Sequence, residues 1–385
     1  MKRGLWVMMI LAIQAVSCQR SAKQIRVATF NIWELSTEKL SRVDENNRGQ
    51  NEQLVAAATI IQRVRPDILV INEIDHDYDN ADDLGKNARL FRDAYLNQGD
   101  MAIGYTHVFA APCNTGIRAD MDFDNDGITA DSSHMLTRLH GTDCYGYGEY
   151  PGQYSMALLS KYPIDAENVR TFQNFLWKDL PGHHMPNDYY SEEEIDIFRL
   201  SSKSHWDVPV LIAGKRLHLF LSHPTPPVFD GPEDRNGRRN FDEIKFWLHY
   251  IEKNQALYDD SGVRGGFAID APFIIAGDLN AAPDAEAVYD NKSAISQLLE
   301  HAKIQDTAAH TIRKNISDNI PEEKKTATAQ FGDGREVRID YVLPSAHLQV
   351  IDGGVYWPDK ENDPSGSELS EKASDHRLVW IDVKM

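Results

Sequence analysis

Positive charge is in short supply in this chain: 40 Lys and Arg stand against 59 Asp and Glu, a formal net charge of −19. That balance argues against a broad basic surface for nucleic acid. It leaves nucleic-acid cleavage open, because divalent cations can offset the field locally. Internal repeats and low-complexity linkers are missing too, and no convincing boundary divides the 385 residues, so one domain with insertions is the reading they support. The apolar run at residues 5–13 is too short for a comfortable membrane span. Cysteine is scarce, with Cys18, Cys113 and Cys144 the whole complement. The remainder is ordinary for a soluble globular protein, 42% hydrophobic and 26% charged, and long enough to bury a substantial core.

Residues 1–18 read as a targeting segment. Lys2 and Arg3 precede the apolar run, and Ala15-Val16-Ser17-Cys18 follows it. The ending resembles the lipobox of bacterial lipoproteins, in which Cys18 would be acylated as the first residue of the mature chain. A plain secretory signal with an incidental Cys is the alternative. Either reading exports the protein, and the first predicts a periplasmic or cell-surface bacterial lipoprotein held to the membrane by its lipid. No protein partner is predicted. In an oxidising compartment Cys113 and Cys144 are candidates for a disulfide, with two free buried thiols as the equal alternative.

The body of the chain, residues 24–385, alternates strand and helix signals. Residues 24–33 alternate Ile25, Val27 and Thr29 and end in Asn31; residues 51–65 carry Leu54, Ala57, Ala58 and Ile61 on one helical face. Pro66 stops that helix, and the apolar run 68–71 reads as a buried strand emerging at Asn72-Glu73. Further strands are expected at 156–160, 208–212 with 216–221 as a hairpin, 272–276, 337–343 and 348–351, then after His376. Helices are expected from Ser191 and over 241–251. Two loop-rich insertions, about 111–150 and 174–205, interrupt the pattern.

Polar residues recur where these strands end: Asn31, Glu73, His223, Asp278 with Asn280, and Asp340, while Asp375-His376 opens the last strand. A His beside a carboxylate suits proton transfer near neutral pH. Strands of one sheet that each present a polar residue at the same end assemble a cluster without a contiguous motif.

Thr-Phe-Asn-Ile-Trp at 29–33, Ile-Asn-Glu-Ile at 71–74, Ala-Leu-Leu-Ser-Lys-Tyr-Pro-Ile at 157–164, Ser-His at 222–223, Gly-Asp-Leu-Asn at 277–280, Arg-Ile-Asp-Tyr-Val-Leu at 338–343 and Ser-Asp-His at 374–376 follow one another in that order. Together they resemble the endonuclease/exonuclease/phosphatase superfamily, the fold of type-I deoxyribonucleases and inositol polyphosphate phosphatases, from about residue 25 to the C-terminus. The resemblance implies an α+β protein, a four-layer αββα sandwich of two mixed β-sheets flanked by helices. It implies Mg²⁺ or Mn²⁺ held by Asn31 and Glu73, with Asp375 completing the shell. His376, oriented by Asp340, would face the scissile phosphate as base or electrostatic partner. Asp278 would align the attacking water, Asn280 would donate to charge growing on phosphorus, and His223 would contact a phosphate oxygen or assist the leaving group. One departure is Asn72, where the family often carries Gln.

Three further features stand beside these motifs. Arg235, Arg238 and Arg239 are local positive charge that suits phosphate oxygens or surface carboxylates. Asp122, Asp124 and Asp126 before Gly127 have the spacing of a calcium loop, but Ser133 stands where an EF-hand carries its bidentate Glu, so a structural Ca²⁺ would be held differently. Aromatic residues at Tyr145, Tyr147, Tyr150 and Tyr154, and at Phe172, Phe175 and Trp177, read first as packing. The expected protein is an exported metal-dependent phosphoesterase. The substrate would be a small molecule, a lipid headgroup or a nucleic acid. The alternatives are an extracellular nuclease and a non-catalytic surface-binding lipoprotein.

Overall fold

Residues in the first long strand, β1 (Gln24–Leu35), alternate between two cores, and this alternation sets the layers. Ile25 and Val27 face a second sheet, while Ala28, Phe30 and Ile32 face helices. A strand buried on both faces cannot show polar alternation, which is why its neighbour reads as a continuous apolar run. The computed structural model describes residues 23–385 apart from Ala287 and Asp318. The expected targeting segment, residues 1–18 with Cys18, lies outside the described residues.

Helix α1 (Glu52–Val64) begins at Asn51, whose side chain accepts the Leu54 N–H, and ends at Arg65 in the left-handed region. It leads into β2 (Ile68–Ile74), which pairs parallel with β1. The remaining strands are β3 (His107–Phe109), β4 (Met156–Ser160), β5 (Arg170–Thr171), β6 (His205–Ile212) and β7 (Lys215–Ser222). Helix α2 (Arg235–Ile251) follows, then β8 (Phe273–Asp278), the short hairpin β9 (Ala329–Gln330) and β10 (Glu336–Val337), β11 (Asp340–Pro344) and β12 (Gln349–Val355). Helix α3 (Pro364–Ala373) and β13 (Val379–Lys384) close the chain.

Two mixed sheets result, a six-stranded one in the order β12-β13-β1-β2-β4-β3 and a five-stranded one in the order β11-β8-β7-β6-β5. Val27, Val70 and Ile381 of the first meet Val208, Leu219 and Ile274 of the second in the central core. Leu54, Ala57 and Ile61 of α1 cover the outer face of the first sheet. Phe246, Trp247 and Tyr250 of α2 cover the second, with Trp247 stacked on Phe220 at 5.1 Å. Each such buried side chain contributes about 1.5–3 kcal/mol. The layers are helix, sheet, sheet, helix, as the resemblance implied. Among the described residues no helix is long and apolar enough to cross a membrane.

One expectation needs correction, and one pair of alternatives is decided. Helix α2 starts at Arg235, not at 241, because Arg239 and Asn240 point inward. Their donors satisfy the carbonyls of Leu200, Arg199 and Thr225, so polarity there does not mean solvent. The disulfide does not form: Cys113 and Cys144 are both free and buried. Cys113 Sγ lies 3.1 Å from Thr115 Oγ1, and Cys144 donates to the His140 carbonyl at 3.1 Å, so each thiol is packed in its own setting.

Candidate active site

The register of the strands brings the polar ends together. Antiparallel pairing of β8 with β11 sets Asp340 opposite Asp278, and parallel pairing of β1 with β2 sets Asn31 opposite Asn72. Asn72 then stitches the sheets, its Oδ1 accepting the Asp278 N–H at 3.1 Å and the Thr29 hydroxyl at 3.3 Å. The close approach of β7 and β8 depends on Gly277: at φ 152° a Cβ would lie 2.2 Å from the Ser222 carbonyl oxygen. Glu73 and Asn280 themselves sit at positive φ, 63° and 51°, backbone strain of the kind that accumulates at functional sites.

Hydrogen bonds join the candidate residues into one constellation. Asn31 Nδ2 donates to Glu73 Oε1 at 3.1 Å and to Asp278 Oδ2 at 3.0 Å, so two carboxylates share one amide. The other Glu73 oxygen takes the Glu34 N–H at 3.1 Å. Asp278 Oδ1 accepts the Asn280 N–H at 2.9 Å, while its Oδ2 lies 3.5 Å from His223 Nε2 and 3.7 Å from His376 Nε2. On the far side, His376 Nδ1 meets both oxygens of Asp340 at 3.0 and 3.1 Å. Thr328 fixes that carboxylate by donating its hydroxyl at 2.8 Å and accepting the Ile339 and Asp340 N–H groups at 3.0 Å.

Burial alone would keep His376 neutral, but the Asp340 and Asp278 carboxylates outweigh it and raise the imidazole to about 10. Burial also pushes Asp278 up, yet the His376 charge and the His223 and Asn31 hydrogen bonds reverse this, holding it well below the usual carboxylate range. Burial raises Asp340 against the pull of His376. His223 is lowered, first by burial and then by the charge of Lys203, and its Nδ1 is buried without a hydrogen-bond partner among the described residues. The arrangement is therefore an imidazolium between two carboxylates beside a neutral imidazole. Such a centre can orient water and stabilise negative charge developing on a substrate.

Asn31, Glu73, His223, Asp278, Asn280, Asp340 and His376 are thus brought together. Asp375 is not: its side chain takes the Ser374 hydroxyl at 3.3 Å and lines a shallow neighbouring groove with Trp33, Phe331 and Arg377. Among the described residues no hydrogen bond or ion pair links it to Asn31 or Glu73, although its charge acts on His376 beside it. The arginines make the following contacts. Arg239 is buried on the Leu200 and Arg199 carbonyls, Arg238 donates to Glu233 and His184 carbonyls, and Arg235 pairs with Glu233 and lies over Tyr189. Arg239 is therefore held within the chain, whereas Arg235 and Arg238 are half-buried and have only part of their donors taken. Phe172, Phe175 and Trp177 are core residues. His184 is bound to Asp242 at 2.9 Å. Sequence reasoning missed Thr328 and Lys203; neither lies at a strand end or in a motif, and only tertiary placement reveals them.

Among the described residues, two groups have the atoms for a cation. Asp278, Asp340 and His376 each offer a ligand atom within 4.8 Å of the others, as do Asp122, Asp124 and Asp126 in the insertion.

The sequence pattern of the Endonuclease/Exonuclease/phosphatase family matches residues 28–376. The chain belongs to that family. Family members are phosphoester hydrolases. Among solved structures, the endonuclease/exonuclease/phosphatase from Beutenbergia cavernae is similar at 17% identity and a TM-score of 0.52, over 94% of this chain and 72% of that one. A family protein from Leptotrichia buccalis is similar at 15% identity and a TM-score of 0.50, over 94% of this chain and all of the other. These likenesses concern the fold. A comparison with curated proteins finds no match.

Proposed function

We propose that the protein is an exported, divalent-metal-dependent phosphoesterase that hydrolyses a phosphodiester or phosphomonoester by in-line attack of water. The observation that carries this reading is the His376 imidazolium, pinned by both oxygens of Asp340 and aimed through Nε2 toward Asp278.

In this reading Asp278, ionised and acceptor-only, orients the attacking water and takes its proton as the new phosphorus–oxygen bond forms and the bond to the leaving oxygen breaks, and it then gives the proton up to the departing oxygen or to solvent. His376 donates to a non-bridging oxygen rather than acting as base, since it already holds its proton. Asn280 keeps one Nδ2 hydrogen on the Pro224 carbonyl at 3.0 Å, leaving the second for the phosphate. Neutral His223 stands beside Asp278, placed to meet a non-bridging or leaving oxygen.

The carboxylates of Glu73 and Asp278 fit a hard cation, while Asn31, whose Oδ1 takes the Trp33 N–H at 3.1 Å, holds the two in place and would ligate only after turning its amide. Two carboxylates converging on one amide repel each other and offer oxygen ligands, which Mg²⁺ and Mn²⁺ prefer. When bound there, such an ion would screen the phosphate and stabilise the leaving oxygen. A structural Ca²⁺ at Asp122, Asp124 and Asp126 is part of the same proposal, supported by their mutual spacing. Export and a lipid on Cys18 rest on the composition of residues 1–18.

The net charge of −19 favours a small phosphoester or lipid headgroup over a long nucleic acid. The test is turnover of bis-p-nitrophenyl phosphate, p-nitrophenyl phosphate and plasmid DNA, with Mg²⁺ or Mn²⁺ and with chelator. Metal-dependent hydrolysis of the small esters is expected. A folded protein inert on all three would sink the proposal.

A further inference from the structure

We propose that Lys203 is a substrate-binding cation of this site, its ammonium taking a non-bridging oxygen of the scissile phosphate; the inference rests on the phosphoesterase reading above. Lys203 is 7% exposed, and among the described residues its ammonium has no carboxylate within ion-pair distance and no hydrogen-bond acceptor. The side chain is buried along its stem while Nζ keeps some contact with solvent, so the ammonium is held by no carboxylate and can be reached by an anion.

The backbone fixes where it stands. His205 opens β6 opposite Ser222, the last residue of β7, so the residues just before His205 run alongside His223 and Pro224. Ser202 donates its hydroxyl to the His223 carbonyl at 3.3 Å, and the Lys203 carbonyl accepts the Asn114 N–H at 2.8 Å, tying both sides of the segment down. The ammonium acts electrostatically on Glu243, Glu73 and Asp278, and its charge is felt by His223. It therefore sits among the residues that would surround the phosphate.

A purely structural duty would be to balance the buried Glu243. That carboxylate already takes the Ser202 N–H at 2.6 Å, the Ser202 hydroxyl at 3.0 Å and the Thr225 N–H at 2.7 Å, and Arg239 is its stronger charge partner. Lys203 is left over. The anion it awaits must also enter a site walled by Glu73, Asp278 and Asp340 in an acidic chain, where only cations can offset the repulsion. Arg239 is taken up by buried carbonyls and Arg235 is paired with Glu233, which leaves Lys203 as the cation facing Glu73 and Asp278 without an ion-pair partner among the described residues. A compact ammonium suits a phosphate oxygen as a point charge.

The test compares the full chain with K203M and K203R for kcat and KM on the best phosphoester, for Tm, and for the rise in Tm caused by inorganic phosphate. Met removes the charge and keeps the stem, so K203M should melt at or above the wild-type temperature. Its kcat/KM should fall by about 100-fold or more, and the phosphate-induced rise should vanish. K203R should recover part of both. A lower Tm with kcat/KM and the phosphate response unchanged would overturn the assignment. If the wild-type protein hydrolyses no phosphoester, the functional reading fails separately and the phosphate response judges Lys203. Its loss in K203M supports the anion site; its persistence there, or its absence from the wild type, overturns it.

Discussion

An imidazole sealed from water ordinarily loses its proton, and His376 keeps it only because Asp340 and Asp278 flank it. Its folded value of about 10 lies above the ordinary 6.5. The stability it contributes is therefore complete below about pH 6.5 and is lost as pH rises through about 10. Urea unfolding of the metal-free protein and of His376→Gln should differ more near pH 6 than near pH 10; an equal difference at both would contradict the ion pair. Arg239 gives a contrasting case. Its guanidinium holds buried carbonyls, so Arg239→Met should lower stability by about 2–4 kcal/mol and leave KM for a phosphoester unchanged. A raised KM at unchanged stability would restore Arg239 as a phosphate ligand. Asn31, Glu73, Asp278 and His376 were legible because each breaks an apolar strand at its end. Lys203 was not, since a lysine between serines looks like solvated loop until the register of β6 and β7 buries it.

Strand pairing does the positioning that no single motif reveals. The opposition of Asp278 to Asp340 follows from the β8–β11 register, which the spacing of the two residues along the chain does not announce. Gly277 is the element-scale hinge of this arrangement, because its missing Cβ lets β8 lie against the Ser222 carbonyl. Gly277→Ala should cost about 2 kcal/mol or more in equilibrium unfolding and reduce activity by displacing Asp278; wild-type stability would show that the backbone can give way there. The strands, the hairpin and α1 were visible as apolar periodicity and caps. The first turns of α2 were not, because Arg239 and Asn240 are buried through hydrogen bonds, and hydropathy scores such residues as surface.

At the scale of the whole molecule, two apolar sheet faces and two helical layers hold a polar edge in place; the insertions pack on each other, Phe123 against Phe198 at 4.2 Å, and on the outer layer, Phe175 against Phe246 at 5.6 Å. The sequence left the state of Cys113 and Cys144 open because spacing alone cannot place two thiols; their separate burial answers it. Thiol titration should find both unreactive in the folded protein and both reactive after denaturation without reductant; a denatured protein with neither would show a bridge. The acidic surface and the layered fold matter to function only through the edge where Asn31, Glu73, His223, Asp278, Asn280, Asp340 and His376 meet. The most direct test of that claim is kcat/KM for a small phosphodiester in the presence of Mg²⁺ or Mn²⁺, for the wild-type protein against His376→Ala. The account predicts metal-dependent turnover that falls roughly 10²–10⁴-fold in the variant, with the fold retained by circular dichroism. Turnover of equal rate in both proteins would contradict it, and would place the chemistry somewhere other than this edge.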